Sequence, residues 1–93
     1  MDKLLEKRKK THGDFKVNAT VCQDLKRILH RRFIPHSVLR EALDNIAQKL
    51  ARITVGNSCE LDHWRDIIGY SQLVLNYLQE RKKEEEEDGY TQL

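Results

Sequence analysis

Residues 39–53, LREALDNIAQKLARI, decide the fold of this chain. Their large apolar side chains recur in alternating steps of four and three residues, at Leu39, Leu43, Ile46, Leu50 and Ile53. That spacing places all five on one face of an α-helix, whereas a β-strand would need strict alternation. The stretch therefore predicts a long amphipathic helix whose apolar seam packs against other helices.

Further helical segments flank this one. Apolar residues recur at helical spacing from Val17 to Leu29, and that segment ends before Pro35, which drives the preceding residue out of the α region. On the other side, Gly56 is a natural helix end, and a last apolar pattern begins at Trp64. A short basic helix over residues 2–10 comes first. The sequence therefore predicts four helical segments.

Polar residues before each main segment are suited to cap it, since a side-chain oxygen there can accept a hydrogen bond from a free backbone N–H. Asp14 or Asn18 is expected to cap the second helix, after a turn at Gly13. Ser37 is expected to cap the third helix and Asp62 the fourth.

The composition favours an all-α chain with a thin core. Of the 93 residues, 39% are hydrophobic and 34% are charged, with one proline and four glycines. So small a chain holds one core at most. We predict a single helical domain over residues 1–83, a bundle of three to four helices completed by oligomerisation. Residues 84–93 lose the apolar period and are predicted to form an acidic, disordered tail.

The fourth segment is apolar on two sides. One face holds Trp64, Ile67, Ile68, Val74, Leu75 and Leu78, and a nearly opposite face holds Tyr70, Leu73 and Tyr77. A helix that is apolar on two sides needs two partners. One partner is its own bundle, and we expect the other to be a second subunit, in a homodimer or a higher oligomer.

Charge is distributed unevenly. Residues 1–40 contain eleven Lys and Arg against four acids, a formal charge of +7, whereas residues 84–93 contain five acids and no base. A basic half attracts phosphates, nucleic acid or an acidic partner, although a solvated helix surface explains it equally well. No apolar run is long enough for a membrane span, and residues 1–5 lack a signal-peptide core, so we expect a cytoplasmic protein without a membrane partner.

Two pairs of acids are the candidate metal ligands. Glu41 and Asp44 share one face of the third helix, and Asp62 and Asp66 share one face of the fourth. Clustered carboxylates suit Mg²⁺, which prefers oxygen ligands and keeps waters for substrate phosphates. The alternative to a metal site is that Glu41 and Asp44 are ordinary surface residues, because both lie roughly opposite the apolar seam and therefore face solvent.

Asp66 is a separate case, because it shares a face with Tyr70, Leu73 and Tyr77 and is therefore expected to be buried. A buried carboxylate must be paired or bound to metal, so it either forms an ion pair with Lys49 or Arg52 or acts as a ligand. Lys49 and Arg52 are three residues apart on the third helix, so their side chains are also placed to bind a phosphate. We include Lys49, Arg52 and Tyr70 in the candidate substrate-binding set.

Three stretches carry a resemblance: KTHGDF at residues 10–15, REALDNIAQKLARI at 40–53 and DHWRDIIGY at 62–70. Together they resemble a family of small all-α phage and prophage proteins, which is distantly similar to MazG-like nucleoside triphosphate pyrophosphohydrolases. That resemblance implies a dimeric helical bundle in which Glu41, Asp44, Asp62 and Asp66 hold Mg²⁺. MazG-like enzymes carry EExxE and ExxD motifs, of which this chain has only parts.

Two classes of function therefore stay open. The first is a degenerate MazG-like module that binds a nucleotide or hydrolyses a nucleoside triphosphate with Mg²⁺. The second is a non-enzymatic phage accessory protein, in the cytoplasm of the host cell, which binds a host protein or nucleic acid through its basic N-terminal half. Nucleic acid is the less favoured partner, because no recognition motif is evident.

Overall fold

The computed structural model describes the backbone of residues 2–92 and the side chains of residues 3–86 except Thr11. Over this range the chain forms four α-helices and no strand, which confirms the predicted all-α fold. The helices are α1 (Asp2–His12), α2 (Phe15–Leu29), α3 (Ser37–Val55) and α4 (Leu61–Gln92). The bounds of α4 include residues 84–92, and the disorder expected there stays a prediction.

Helix α3, which contains the apolar seam, is the central element. Both α2 and α4 pack against α3, but among the described residues they do not contact each other, and α1 makes smaller contacts with α2 and α3. The three long helices thus form an open layer. The chain measures 64 × 26 × 22 Å with a radius of gyration of 17.6 Å, against roughly 12 Å for a compact domain of this length.

The core of this layer consists of small side chains. Cys22, Ala42, Ala47 and Ala51 are the buried hydrophobic residues among those described, and His63 is the buried polar one. Small residues allow helix backbones to approach closely, but they remove little apolar surface from water. The core alone therefore stabilises the chain weakly.

The predicted seam is less buried than its pattern suggests. Leu39, Leu43, Ile46 and Ile53 are half-buried, and Leu50 is 37% exposed. The most buried residues of α3 are instead the alanines that flank the seam, Ala42, Ala47 and Ala51. The physical reason is that α2 and α4 pack against α3 beside the seam and cover it only in part, which leaves a groove lined by Leu39, Leu43 and Ile46.

Helix α4 is apolar on two sides, as its sequence indicates, and α3 packs between the two stripes. Ile67, Tyr70, Val74 and Tyr77 are half-buried. On either side of them the structure leaves apolar side chains exposed: Trp64, Ile68, Leu73, Leu75 and Leu78. Each stripe therefore still presents apolar surface to solvent.

The predicted caps are partly correct. The Asp14 side chain accepts hydrogen bonds from the backbone N–H groups of Lys16 and Val17, at 3.0 and 3.5 Å, and so caps α2 as expected. Ser37 does not cap α3, because the helix begins at Ser37 itself and the cap position falls on His36. Asp62 likewise lies inside the first turn of α4 rather than before it.

No helix in the part of the chain that the structure describes is both long enough and apolar enough to cross a membrane.

Candidate functional site

The α1–α2 turn packs directly on the end of α3. Gly13 has a φ of +83°, a conformation that L side chains rarely adopt. A Cβ on Gly13 would lie 2.6 Å from Val55 Cγ1 and 2.9 Å from the Val55 carbonyl carbon. The Asn18 side-chain amide donates a hydrogen bond to the His12 carbonyl oxygen at 2.8 Å. Glycine at position 13 thus lets the turn meet the C-terminal end of α3.

Two histidines connect α1 to the start of α4. The Nδ1 atom of His12 lies 3.3 Å from Nε2 of His63, and the ring centroids are 4.9 Å apart. His63 is only 1% exposed. One ring must donate its N–H while the other accepts, so the contact requires at least one neutral histidine. This pair joins the ends of helices that are otherwise in little contact.

Basic side chains of α3 lie beside the histidine pair. Burial lowers the pKa of His12 most, and the positive charges of Arg52, His63, Lys49 and Arg8 lower it further. The same positive charges that disfavour a proton on His12 favour an anion nearby. The turn therefore lies in a region of positive potential.

The resulting cleft has a volume of about 430 Å³. Its polar lining is mostly basic, with one acid, and Phe15 stands at its edge with 83% of its surface exposed. The lining residues are Leu5, Arg8, Lys9, His12, Gly13, Asp14, Phe15, Asn18 and Arg52. Lys9 lies 4.0 Å from Asp14. Arg52 is half-buried and makes no ion pair with any described residue.

The four candidate metal ligands are not brought together. Each has a different neighbour: Asp44 contacts His30 Nε2 at 2.7 Å, Asp62 contacts Arg65 at 3.4 Å, Glu41 accepts a hydrogen bond from Asn45 at 3.2 Å, and Asp66 contacts Lys49 at 2.9 Å. Within the described residues, no group of three or more His, Cys, Asp or Glu side chains is placed to hold a metal ion.

Asp66 has the predicted partner but not the predicted burial. Its carboxylate pairs with the Lys49 ammonium, and the hydrogen bond from Lys49 lowers the pKa of Asp66 below its ordinary value. The Asp66 side chain is 48% exposed, whereas that of Lys49 is 14% exposed. The expectation of a buried carboxylate was wrong, because α3 packs beside that stripe of α4 rather than over it.

Two of the three candidate substrate-binding residues lie near each other. Lys49 and Arg52 both act on His12, although Lys49 is engaged by Asp66, whereas Tyr70 lines a different groove between α3 and α4. The sequence pattern did not indicate Arg8, Lys9, His12 or Phe15 as site residues. The KTHGDF stretch, which contains the turn, includes His12 and Phe15, and the basic run of α1 includes Arg8 and Lys9.

The His12 pKa makes folding stability depend on pH. Because the folded state lowers this pKa below about 6.5, the unfolded chain binds the proton more readily, and stability falls as pH drops below that value. We expect the melting temperature to fall between pH 7.5 and 5.5, and to fall less in His12→Gln. His36→Gln is the control and should keep the wild-type pH dependence. Equal slopes in all three proteins would contradict this.

Comparison of the chain with known proteins gives no match to a family model, a curated protein or a solved structure. The geometry of the cleft and the sequence motifs are therefore the basis for assigning a function.

Proposed function

We propose that the chain binds a nucleotide, whose phosphates occupy the basic cleft and contact Arg52. The observation that carries this proposal is Arg52, a half-buried residue of the cleft whose guanidinium forms no salt bridge with a described side chain, although its charge helps to lower the pKa of Asp66. A phosphate in the cleft would give this guanidinium a direct anionic partner. A guanidinium matches the geometry of a phosphate and binds it through two hydrogen bonds.

The size and charge of the cleft support a phosphate ligand. Its volume of about 430 Å³ falls within the roughly 300–1,000 Å³ that is typical of small-molecule sites. Arg8 and Lys9 on α1 add positive charge opposite Arg52 on α3. A bound phosphate would offset the mutual repulsion of these groups.

Phe15 favours a nucleotide over a bare phosphate. Its ring is 83% exposed at the edge of the cleft and also borders the adjoining α2–α3 groove, which Arg52 lines as well. An exposed aromatic ring beside a phosphate site offers a stacking surface for a base, worth about 1–3 kcal/mol. The phosphates and the base would thus lie on the two sides of Arg52.

Titration calorimetry with ATP and with inorganic tripolyphosphate tests this proposal. Arg52→Gln should weaken binding of both ligands about 10- to 100-fold, since a hydrogen bond to a charged group contributes roughly 1.5–3 kcal/mol. Phe15→Leu should weaken ATP alone. Arg65→Gln is the matched control, because this arginine lies on α4 and pairs with Asp62. Wild-type affinity in Arg52→Gln, or no binding by the wild type, would refute the proposal.

The proposal is for binding without turnover. The candidate carboxylates have separate partners within one chain, and Mg²⁺ chemistry of the MazG-like kind needs several carboxylates at one ion. In this proposal Mg²⁺ accompanies the nucleotide as a counterion of its phosphates. Pyrophosphate release that requires Mg²⁺ and is lost in Asp66→Asn would replace this proposal with the enzymatic one.

An accessory role remains the second candidate, favoured by the exposed basic residues of α1. Lys3, Lys7, Lys9 and Lys10 are exposed along this helix. In this alternative the basic half binds a host protein or nucleic acid. Binding to single-stranded DNA would then weaken steeply with salt and would not require Arg52.

A further inference from the structure

The layer formed by α2, α3 and α4 leaves one apolar face open. We propose that this open face packs against the same face of a second copy of the chain, with the two α4 helices antiparallel. The open face consists of Leu39, Leu43, Ile46 and Leu50 on α3 and of Trp64, Ile68, Leu75 and Leu78 on α4.

Two parallel stripes make up the open face. On α3 the stripe follows the seam in steps of four and three residues. On α4 the positions Trp64, Ile68, Ser71, Leu75 and Leu78 repeat the same steps. A groove between the stripes is lined by seam residues of α3 together with Ser71 and Val74. This pattern is that of helices which pack by interlocking side chains, and both stripes are only partly covered in the single chain.

The open face is as large as the largest apolar patches found on ordinary monomers, which are often functional. Ile68 is 67% exposed, Trp64 and Leu75 are each 48% exposed, and Leu78 is 42% exposed. With Leu50 and the half-buried seam residues, the face presents on the order of 600 Å² of apolar surface, at the upper limit of the largest patch on an ordinary monomer. On α2, Ile28 is 62% exposed as well. A standard interface takes roughly 800 Å² from each partner, of which only part is apolar.

The charge distribution favours a second copy as the occupant, and an antiparallel one. Glu84, Glu85 and Glu86 are exposed at the far end of α4. The His12–His63 contact places the end of basic α1 at the opposite, N-terminal end of α4. Parallel copies would bring the two acidic segments side by side, where they repel. Antiparallel copies separate these segments and bring each towards the basic helix of the other chain.

The other side of α4 is a poorer interface. There Leu73 is 63% exposed, but the groove beside it is also lined by Glu41 and Asn45. Charged residues are depleted in the centres of interfaces. Leu73 therefore supplies a matched control, because it is as exposed as Ile68, lies on the same helix and is outside the open face.

Sedimentation of the wild-type chain at tens of micromolar should give a dimer mass. Ile68→Glu should give a monomer, because each copy would bury a charge at the interface, whereas Leu73→Glu should remain dimeric. Emission of Trp64, the single tryptophan, should shift to longer wavelength on dilution of the wild type, which provides a test that needs no variant.

Two results of these experiments would overturn the proposed dimer. A monomeric wild type with concentration-independent Trp64 emission would overturn the proposal. A dimer that dissociates in Leu73→Glu but persists in Ile68→Glu would overturn it too, because the interface would then be the other face. If Ile68→Glu unfolds, the dilution series of the wild type decides. Raising the salt concentration should weaken the dimer if the charge argument for the antiparallel arrangement holds.

Discussion

Gly13→Ala is expected to lower the melting temperature by more than about 10 °C. The positive φ of +83° alone makes alanine unfavourable at this position, and residues held in such conformations cost of order 1–3 kcal/mol. In addition, the new Cβ would lie 2.6 Å from Val55 Cγ1 and 2.9 Å from its carbonyl carbon. The valine side chain can move, but the backbone must shift with it. For a domain of this size, each 1 kcal/mol shifts the melting temperature by roughly 4–8 °C.

Gly69→Ala is the control for this experiment. Gly69 lies within α4, and a Cβ there would meet no atom within 4 Å. Alanine at a helix-interior glycine stabilises by roughly 0.5–1 kcal/mol. Thermal melts followed by circular dichroism should thus move in opposite directions for the two variants. A Gly13→Ala protein with wild-type stability would show that the turn does not pack on α3 as described.

Ala47→Leu is expected to destabilise the protein strongly. Ala47 is 0% exposed at the helix contacts of α3, so a larger side chain must push neighbouring helices apart. Overpacking a well-packed site costs about 1–3 kcal/mol, and a core of four small residues has few other contacts to compensate. We expect a fall of roughly 5–20 °C in melting temperature.

The adjacent Gln48→Leu variant is the matched control for Ala47→Leu. Gln48 is exposed on the same helix, so leucine there adds the same apolar group without steric conflict. Surface changes of this kind usually alter stability by less than about 0.5 kcal/mol. Equal melting temperatures for the two variants would mean that the helices do not approach as closely at Ala47 as the structure shows.

The helices could be predicted from the sequence because apolar periodicity and breakers act locally. The helix that contains the seam and the Asp14 cap both appear where the pattern placed them, whereas α2 ends at Leu29, several residues before the predicted break at Pro35. The caps at Ser37 and Asp62 were each misplaced, because the cap is set by where the incoming loop leaves its extended conformation. That conformation depends on contacts between segments, which periodicity does not describe.

The candidate site was less predictable, because it also depends on contacts between segments. Periodicity identified the two stripes of α4, since these follow from which residues share a helical face, and it left Lys49 or Arg52 as the partner of Asp66, of which the structure shows Lys49. It did not reveal that α3 packs between the stripes, so the burial of Asp66 was overestimated. The cleft joins Arg52 to Arg8 and His12 across about forty residues of chain, and the turn at Gly13 brings them together. Helical spacing within one segment does not predict which segments that are distant in sequence come into contact.

The alanine-rich contacts of α3 have a consequence for the heat capacity of unfolding. This quantity scales with the apolar surface that becomes exposed, and globular proteins average about 12–15 cal/mol/K per residue. A chain whose buried hydrophobic residues, among those described, are three alanines and one cysteine, with its larger apolar side chains only half-buried, exposes less new apolar surface on unfolding alone than a compact domain of its length. The free energy of unfolding of the isolated chain therefore varies only slightly with temperature, and cooling lowers it little. Association through the open face buries further apolar surface, which is exposed again when the dimer unfolds. The heat capacity of unfolding, and with it the curvature of stability with temperature, is therefore set by the dimer rather than by the single chain.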